Sequence, residues 1–416
     1  MLITSTQPTS ALLTTAEVAR RLGVKPQTVY AYVSRGQLRP DPSSTHRHSL
    51  FAHDEVERAA ARARHPSRSG ALEVVIETRL TALDPDGRLH YRGRDVIELA
   101  RFRTFEDVAA LLWDGDAFAP WDLDAGDREL IARLAGLMPA VAAPVDLIAV
   151  AVAALGGADR QRGDRRPDAV RRAAARMLGG SIDLIAARGD RQGRPSAAGG
   201  AASEPAAASR LWSALRTDGR RPRPAQLAAL NAALVLLADH ELAASTLAAR
   251  VAASAWADPY RVVLAGLGPL GGSLHGGASF AVESMLSDAG SAAGAFAAVD
   301  QRMAAGLVPG FGHRVYRGRD PRAEHLIERL RSVSDDEQGL ITVEATLDAA
   351  ASLDLPPPNV DFGLAALCRL MGLRTGSASA IFTVARIVGL VAHGLEEYPH
   401  RLRFRPRATY AGPAPR

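Results

Sequence analysis

Two histidines set among glycines are the residues of this chain best suited to chemistry. His275 lies in Leu274-His275-Gly276-Gly277-Ala278 and His313 in Gly310-Phe311-Gly312-His313-Arg314. Glycine neighbours let a ligand come close to the backbone. A carboxylate, Asp361, stands by itself in Pro358-Asn359-Val360-Asp361-Phe362, after a rigid proline run. Arginines follow His313 at 314, 317 and 322, and guanidinium forks suit carboxylates and phosphates. Taken singly, each stretch also reads as a turn or a helix cap. Together they point to general acid–base work on a small anionic substrate.

Other patterns narrow the chemistry. Asp239-His240-Glu241 reads as lying inside a helix, where successive side chains point about 100° apart. The three cannot ligate one ion, and His240 alone could face a site. The single cysteine, Cys368, excludes a disulfide framework or a multi-thiolate metal centre within one chain. No metal is suggested. Gly266-Leu267-Gly268-Pro269-Leu270-Gly271 fits G-x-G-x-x-G, but it follows a helical run and has Pro269 where a helix should open. There is no Gly-Lys-Ser/Thr, which excludes a P-loop.

These residues need elements to position them. The chain has 416 residues, 47% of them hydrophobic, enough for two or three domains with a sizeable core. No stretch of about 18 uncharged apolar residues stands out. Ala140 to Ala158 comes nearest, interrupted by Pro144 and Asp146, and reads as a core helix. The first residues lack the pattern of a signal peptide, so a cytoplasmic location is expected. The net charge of +5 is confined to residues 1–70, which hold ten Lys or Arg against five Asp or Glu; the remainder holds forty of each.

Thr14-Thr15-Ala16-Glu17 is a capping box opening a helix through Leu22. Pro26 suits the first turn of a second helix ending near Ser34. The pair predicts a helix-turn-helix over residues 1–66, with Val29 and Val33 inward and a linker to about 70. The segment resembles MerR-type and excisionase-type winged helix-turn-helix domains through Leu13 to Val24, Thr28-Val29-Tyr30 and Arg35-Gly36-Gln37-Leu38. Lys25, Gln27, Thr28 and Tyr30 would face DNA, with Arg47 as a wing contact to phosphate. The alternative is a module that docks only on protein. Asp54 to Arg64 reads as a closing helix. Farther on, Val74–Leu83 and Arg88–Tyr91 flank the turn sequence Asp84-Pro85-Asp86-Gly87 and predict a hairpin. Thr104 and Asp107 open a helix through Trp113. Long helical stretches follow at 140–155, 168–187 and 225–256, and Ala197–Ser209 reads as a low-complexity surface excursion.

From about Val74 to Gly412 the chain resembles citrate synthase, on motifs in family order. They are Tyr91-Arg92-Gly93-Arg94-Asp95, Ala238-Asp239-His240-Glu241, Leu274-His275-Gly276-Gly277-Ala278, Gly310 to Tyr316, Asp320-Pro321-Arg322, Pro358-Asn359-Val360-Asp361, and Arg405-Pro406-Arg407-Ala408-Thr409-Tyr410. The resemblance implies a mainly α-helical homodimer, with a large domain at 71–275 and 367–416 and a small domain at 276–366. It implies condensation of acetyl-CoA, a co-substrate, with oxaloacetate, and no resident cofactor. Asp361 would take the methyl proton, His275 would bind the thioester oxygen, and His313 would polarise the oxaloacetate carbonyl. His240, Arg322 and Arg386 would hold carboxylates, and Arg405 would reach the partner's site. Arg317 and the backbone of Val308, Pro309, Gly310, Phe311 and Gly312 would hold the CoA nucleotide. Ala243, Ser273 and Ser279-Phe280 depart from the family pattern, which commonly has Asn, Pro and Asn-Glu there. The alternatives are 2-methylcitrate synthase, using propionyl-CoA, or a DNA-binding regulator whose synthase-like body senses a ligand.

Overall fold

The computed structural model describes residues 75–84, 87–115, 121, 123–139, 141–190, 206–216, 218–272, 278–313, 315–316 and 318–406, and within the N-terminal region residues 12–22, 24, 29, 32–33, 38, 40–41, 44, 49–53 and 56. Contacts divide the chain into two units, Met1–Glu77 and Thr78–Arg416.

In the first unit, β1 (Leu12–Thr14) pairs antiparallel with β2 (Leu50–Ala52), Leu13 opposite Phe51. Helix α1 (Thr15–Leu22) starts as its capping box predicts: the Thr14 amide donates to Glu17 Oε2 at 2.8 Å, and the Glu17 amide donates to Thr14 Oγ1. A small core gathers Val18, Ala19, Val29, Leu38, Phe51 and Val56, with Val33 packed against it. The inward placement of Val29 and Val33 thus holds. Lys25, Gln27, Thr28, Tyr30 and Arg47, and most of the expected closing helix at 54–64, lie outside the described residues.

The second unit is almost wholly helical. Its only sheet among the described residues is β3 (Thr81–Leu83), β4 (Leu89–Tyr91) and β5 (Arg94–Asp95), antiparallel in that order. The hairpin forms about the predicted turn, with the Gly87 amide donating to the Asp84 carbonyl at 2.9 Å. Its first strand is shorter than expected, because the backbone before it has another partner. Glu396 accepts from Thr78 Oγ1 and from the Arg79 amide, at 2.8 and 2.7 Å.

The helices are α2 (Val96–Phe102), α3 (Phe105–Trp113), α4 (Ala125–Leu137), α5 (Pro144–Ala158), α6 (Pro167–Asp190), α7 (Ala206–Leu215), α8 (Pro224–Leu237), α9 (Ala244–Ser254), α10 (Pro259–Leu270), α11 (Ala278–Ala289), α12 (Ala292–Ala304), α13 (Pro321–Val333), α14 (Glu337–Ser352), α15 (Val360–Leu370) and α16 (Ser377–Glu397). α3 begins at the predicted Thr104–Asp107 capping box. Pro144, Pro167, Pro224, Pro259 and Pro321 each open a helix, where a missing amide hydrogen costs nothing. Two expectations shift. Ala206–Ser209 belongs to α7, with Ala207 and Ala208 buried. And α16, rather than Ala140–Ala158, is the helix long and apolar enough by composition to cross a membrane. It is instead the central core element, 89% buried in its apolar window, and it packs on α3, α5, α6, α8, α9, α10, α11 and α15.

Candidate active site

The expectation that 225–256 forms one helical run with His240 inside it is not met. α8 ends at Leu237, and α9 begins at Ala244. Between them Glu241 adopts φ +55°. The break follows from what surrounds Ala238 and Asp239. The Tyr91 hydroxyl accepts from the Asp239 amide (3.0 Å) and donates to the Asp239 carbonyl (2.8 Å). The Asp239 carboxylate accepts from Thr81 Oγ1 and the Glu241 amide, and lies 3.2 Å from His393 Nε2. Burial opposes the Asp239 charge, but His393, Arg386 and Thr81 together hold its carboxyl below the usual range. The Gly389 amide of α16 donates to the Ala238 carbonyl at 3.0 Å. A side chain at Gly389 would lie 2.5 Å from that oxygen, so only glycine allows α16 this close. His240 is therefore presented from a pinned turn rather than from a helical face.

His393 also contacts Arg250 Nη1 at 2.8 Å, and Arg250 pairs with Glu396 and Glu397 at 2.7 and 3.1 Å. Arg250, His393 and Glu397 are fully buried. The turn bearing His240 is thus anchored through a continuous polar chain to the last turn of α16.

The loop before His313 is fastened to the start of α15. The Gly312 amide donates to the Pro357 carbonyl, the Asn359 amide to the Gly310 carbonyl (both 2.9 Å), and Asn359 Nδ2 to the Gly312 carbonyl (2.8 Å). Gly310 has φ +86°, and a Cβ there would meet Val282 at 2.8 Å, so the loop needs glycine for both conformation and space. Asn359 caps α15 by accepting from the Asp361 amide at 3.0 Å. These bonds bring His313 and Asp361, 48 residues apart, into one neighbourhood.

His313 Nδ1 accepts from the amides of Val315 (3.0 Å) and Tyr316 (3.2 Å). That network places the ring proton on Nε2. Burial and the Arg322 cation push its pKa down to about 4, so the ring is neutral near pH 7. Arg322 Nη2 lies 3.4 Å from Nε2. Two donors side by side do not bond each other; they converge on any oxygen placed between them. His240 Nε2 sits 3.1 Å from the Tyr316 hydroxyl. Its ring meets His313 edge-on at 5.2 Å. Burial, then the charges of Arg322 and Arg386, also keep His240 neutral. Burial pushes the Tyr316 phenol up to about 12.

Arg322 is buried and held by Asp320 through Nε to Oδ1 (3.0 Å) and Nη2 to Oδ2 (2.9 Å). Asp320 Oδ2 also accepts from the Val360 amide at 3.0 Å, tying the starts of α13 and α15 together. Arg386, 1% exposed, donates Nε to the Leu237 carbonyl at the end of α8 (3.0 Å). Its Nη1 is buried with no hydrogen-bond partner among the described residues. An orphaned buried guanidinium nitrogen costs free energy unless something supplies an acceptor.

Asp361 is half-buried, and the protein packed around its carboxyl raises its pKa; a hydrogen bond from Ser279 Oγ, then Arg322, counter this. Ser279 is fully buried. Ser279→Ala is therefore expected to move the acid limb of any Asp361-dependent rate to higher pH. That hydrogen bond stabilises the ionised carboxylate, so its loss makes Asp361 harder to ionise. An unmoved acid limb in the pH–rate profile would remove Ser279 from this role.

Of the residues singled out from sequence, His240, His313, Arg322, Asp361 and Arg386 form one cluster. The charges of Arg322 and Arg386 reach both His240 and Asp361. Val308 to Gly312 border it as a braced loop, with the Phe311 ring tilted against that of Phe362 at 5.2 Å between centroids. Arg405 lies exposed in the tail and does not join. His275 and Arg317 lie outside the described residues. Tyr316, Asp320 and Ser279 have no role on sequence grounds; the first two lie within the motifs quoted above, and the third marks a departure from the family pattern.

The arrangement offers a half-buried base, a neutral imidazole donor and two buried cations. That set suits proton abstraction next to a carbonyl in the presence of carboxylates. Residues 71–407 match the family Citrate synthase, C-terminal domain, and residues 12–64 match Helix-turn-helix domain. Citrate synthase 2 of Bacillus subtilis is 32% identical over 359 residues, 82% of this chain and 94% of that one. The 2-methylcitrate synthase of Mycobacterium tuberculosis H37Rv is 31% identical over 366 residues, 83% and 90%. The ternary complex of citrate synthase from Thermoplasma acidophilum with carboxymethyl coenzyme A and oxaloacetate superposes with a TM-score of 0.69 at 27% identity, covering 82% of this chain and 95% of that one. With its base, its imidazoles and its arginines set on that fold, the chain belongs to the citrate synthase family and carries a helix-turn-helix domain at its N-terminus.

Proposed function

We propose that the chain condenses acetyl-CoA with oxaloacetate to give citrate and free CoA. The observation that carries this is the convergence of Asp361, neutral His313 and Arg322 with the unsatisfied Nη1 of Arg386. Asp361 removes a proton from the thioester methyl group, while His275 hydrogen-bonds the thioester oxygen that gains charge. The carbon nucleophile attacks the oxaloacetate ketone, whose oxygen becomes an alcohol by taking the His313 Nε2 proton. Water then cleaves the thioester. A thioester α-proton is too weakly acidic for a carboxylate in water, so a base and a charge-accepting donor must be preset with water excluded. Closure of the small domain (276–366) on the large one (71–275 and 367–416) would supply that exclusion.

His240, Arg322 and Arg386 hold the substrate carboxylates. Arg317 and Val308–Gly312 cradle the CoA nucleotide. Arg405 reaches the site of a second copy in a homodimer. Propionyl-CoA is the competing acyl donor, since relatives of similar identity carry both names. One methylene changes selection by about 1–3 kcal/mol. Thiol release from acetyl-CoA and propionyl-CoA, each with oxaloacetate, tests the reading. A ratio of kcat/KM favouring acetyl-CoA is expected, the reverse ratio makes it a 2-methylcitrate synthase, and no thiol from either rejects it.

The N-terminal domain is proposed to bind DNA through Lys25, Gln27, Thr28, Tyr30 and Arg47, on the support of its family match. Retardation of a DNA fragment from the chain's own upstream region, lost in Arg47→Ala with Lys25→Ala, is the expected outcome. Equal mobility with and without protein would leave the module a protein-docking one.

A further inference from the structure

Two helices that serve the site also meet at their far ends. α8 delivers His240 just beyond its C-terminus, and α15 carries Asp361 in its first turn. With 14 and 11 residues, they run about 21 and 16 Å. The N-terminus of α8 and the C-terminus of α15 open together on a second cleft of about 520 Å³.

That cleft is lined by Arg216, Arg220, Arg221, Arg223 and Arg369, against the carboxylates of Asp335 and Asp336. Asp218 adds a third negative charge by pairing with Arg216 and Arg220, which leaves five cations against three anions. The cations are unequally used. Arg223 is taken by Asp335 (2.6 Å) and the Val333 carbonyl (2.7 Å). Arg220 reaches Asp218 only at 3.4 Å and is 80% exposed. Arg221 is exposed and makes no ion pair among the described residues. Arg369 spends Nη2 on the Gly290 carbonyl (3.2 Å), while its Nε is buried with no hydrogen-bond partner among the described residues. Guanidinium forks bind phosphate oxygens in pairs, and the positive end of α8 adds to the field. The volume is far larger than one phosphate needs, so an extended anion fits.

We propose that this cleft is an effector site for an oligophosphate, held by Arg220, Arg221 and Arg369. An anion bridging the 218–223 segment to Arg369 draws the distal ends of α8 and α15 together. Because α15 is rigid and carries Asp361 in its first turn, its displacement moves Asp361 relative to His240, which the turn after α8 holds in place. The two sites are separate, and their coupling is a free energy between them. The catalytic consequence rests on the reading under Proposed function; the binding site does not.

The experiment uses the full chain and inorganic triphosphate, with ATP as a second arm. Calorimetric titration is run on the wild type, on Arg220→Ala with Arg221→Ala, and on Arg369→Gln, and thiol release is followed in parallel. Expected are one triphosphate bound per chain, at least tenfold weaker binding in both variants, and an unchanged KM for the acyl-CoA. Triphosphate should change kcat without competing with the acyl-CoA. Equal affinity for ATP and triphosphate identifies the phosphate chain alone as the ligand, and tighter ATP adds a nucleoside contact; either supports the site. Wild-type affinity in both variants, displacement by CoA, or no binding at millimolar triphosphate overturns it. Binding without thiol release under any condition would instead refute the synthase reading and leave the site standing.

Discussion

Asp361→Asn is expected to lower kcat for CoA release by about 10²–10⁴-fold, the range lost when a positioned general base is removed. The substitution is suited to separating chemistry from folding. Asparagine keeps the shape, and its carbonyl oxygen can still accept from Ser279 Oγ, as Asp361 Oδ1 does. The helix cap is made by the Asp361 amide to Asn359 Oδ1 and does not involve the side chain that changes. A lost negative charge in the first turn of α15 costs about 0.3–1 kcal/mol, offset by removing a half-buried carboxylate whose ionisation its surroundings already disfavour. Thermal midpoint and oxaloacetate affinity should thus stay close to wild type while turnover falls. The wild-type rate should rise with pH as Asp361 ionises, on an acid limb above the ordinary carboxylate range because burial raises its pKa. Single-turnover kinetics of the variant, with and without pre-bound oxaloacetate, check this. More than a tenth of the wild-type rate would assign proton abstraction elsewhere.

What could be read from residues alone was whatever depends on local rules. The caps at Thr14–Glu17 and Thr104–Asp107 fixed two helix starts to the residue, because a capping box is made within four residues. His313 and Asp361 stood out because glycines and prolines isolate them from the helical texture. The misjudged parts depend on distant partners. Asp239-His240-Glu241 lies between two strongly helical stretches, yet the helix stops there, since Tyr91, Thr81, His393 and Gly389 claim the local polar groups. No periodicity in 225–256 records those contacts. The zipping of 310–312 to 357–359 is likewise invisible in either segment, because two of its three bonds use backbone groups that any residue carries, and the third, from Asn359 Nδ2, has a backbone carbonyl as its partner. The unsatisfied nitrogen of Arg386 could not be inferred from a sequence either: it depends on how α16 threads the core. Arg405 was placed by resemblance alone, and within one chain it meets none of the cluster.

Asp320→Asn should be the costliest single change to stability around the cleft, at about 3–5 kcal/mol. Asp320 accepts four bonds with two oxygens: from the Arg322 amide, from Arg322 Nε and Nη2, and from the Val360 amide. An amide group in its place offers one acceptor oxygen and turns a donor toward the remaining donors. Arg322, buried and held charged by Asp320, loses its counter-ion, and the joint between α13 and α15 opens. A solvent-exposed pair, Arg331 with Glu344 at 2.7 Å, sets the contrast: breaking it by Glu344→Gln should cost about 1 kcal/mol or less. The pH dependence carries the sign. Burial opposes ionisation of Asp320, but the charge and hydrogen bonds of Arg322 hold its carboxyl below the usual range. Its contribution is therefore complete above the unfolded value of about 3.9 and is lost as pH falls toward the folded one. The gap in urea midpoint between wild type and Asp320→Asn should be full at pH 7 and narrow below about pH 4. A gap no larger than that of Glu344→Gln at pH 7 would mean that Arg322 is held by the surrounding packing, and that its position beside His313 does not depend on Asp320.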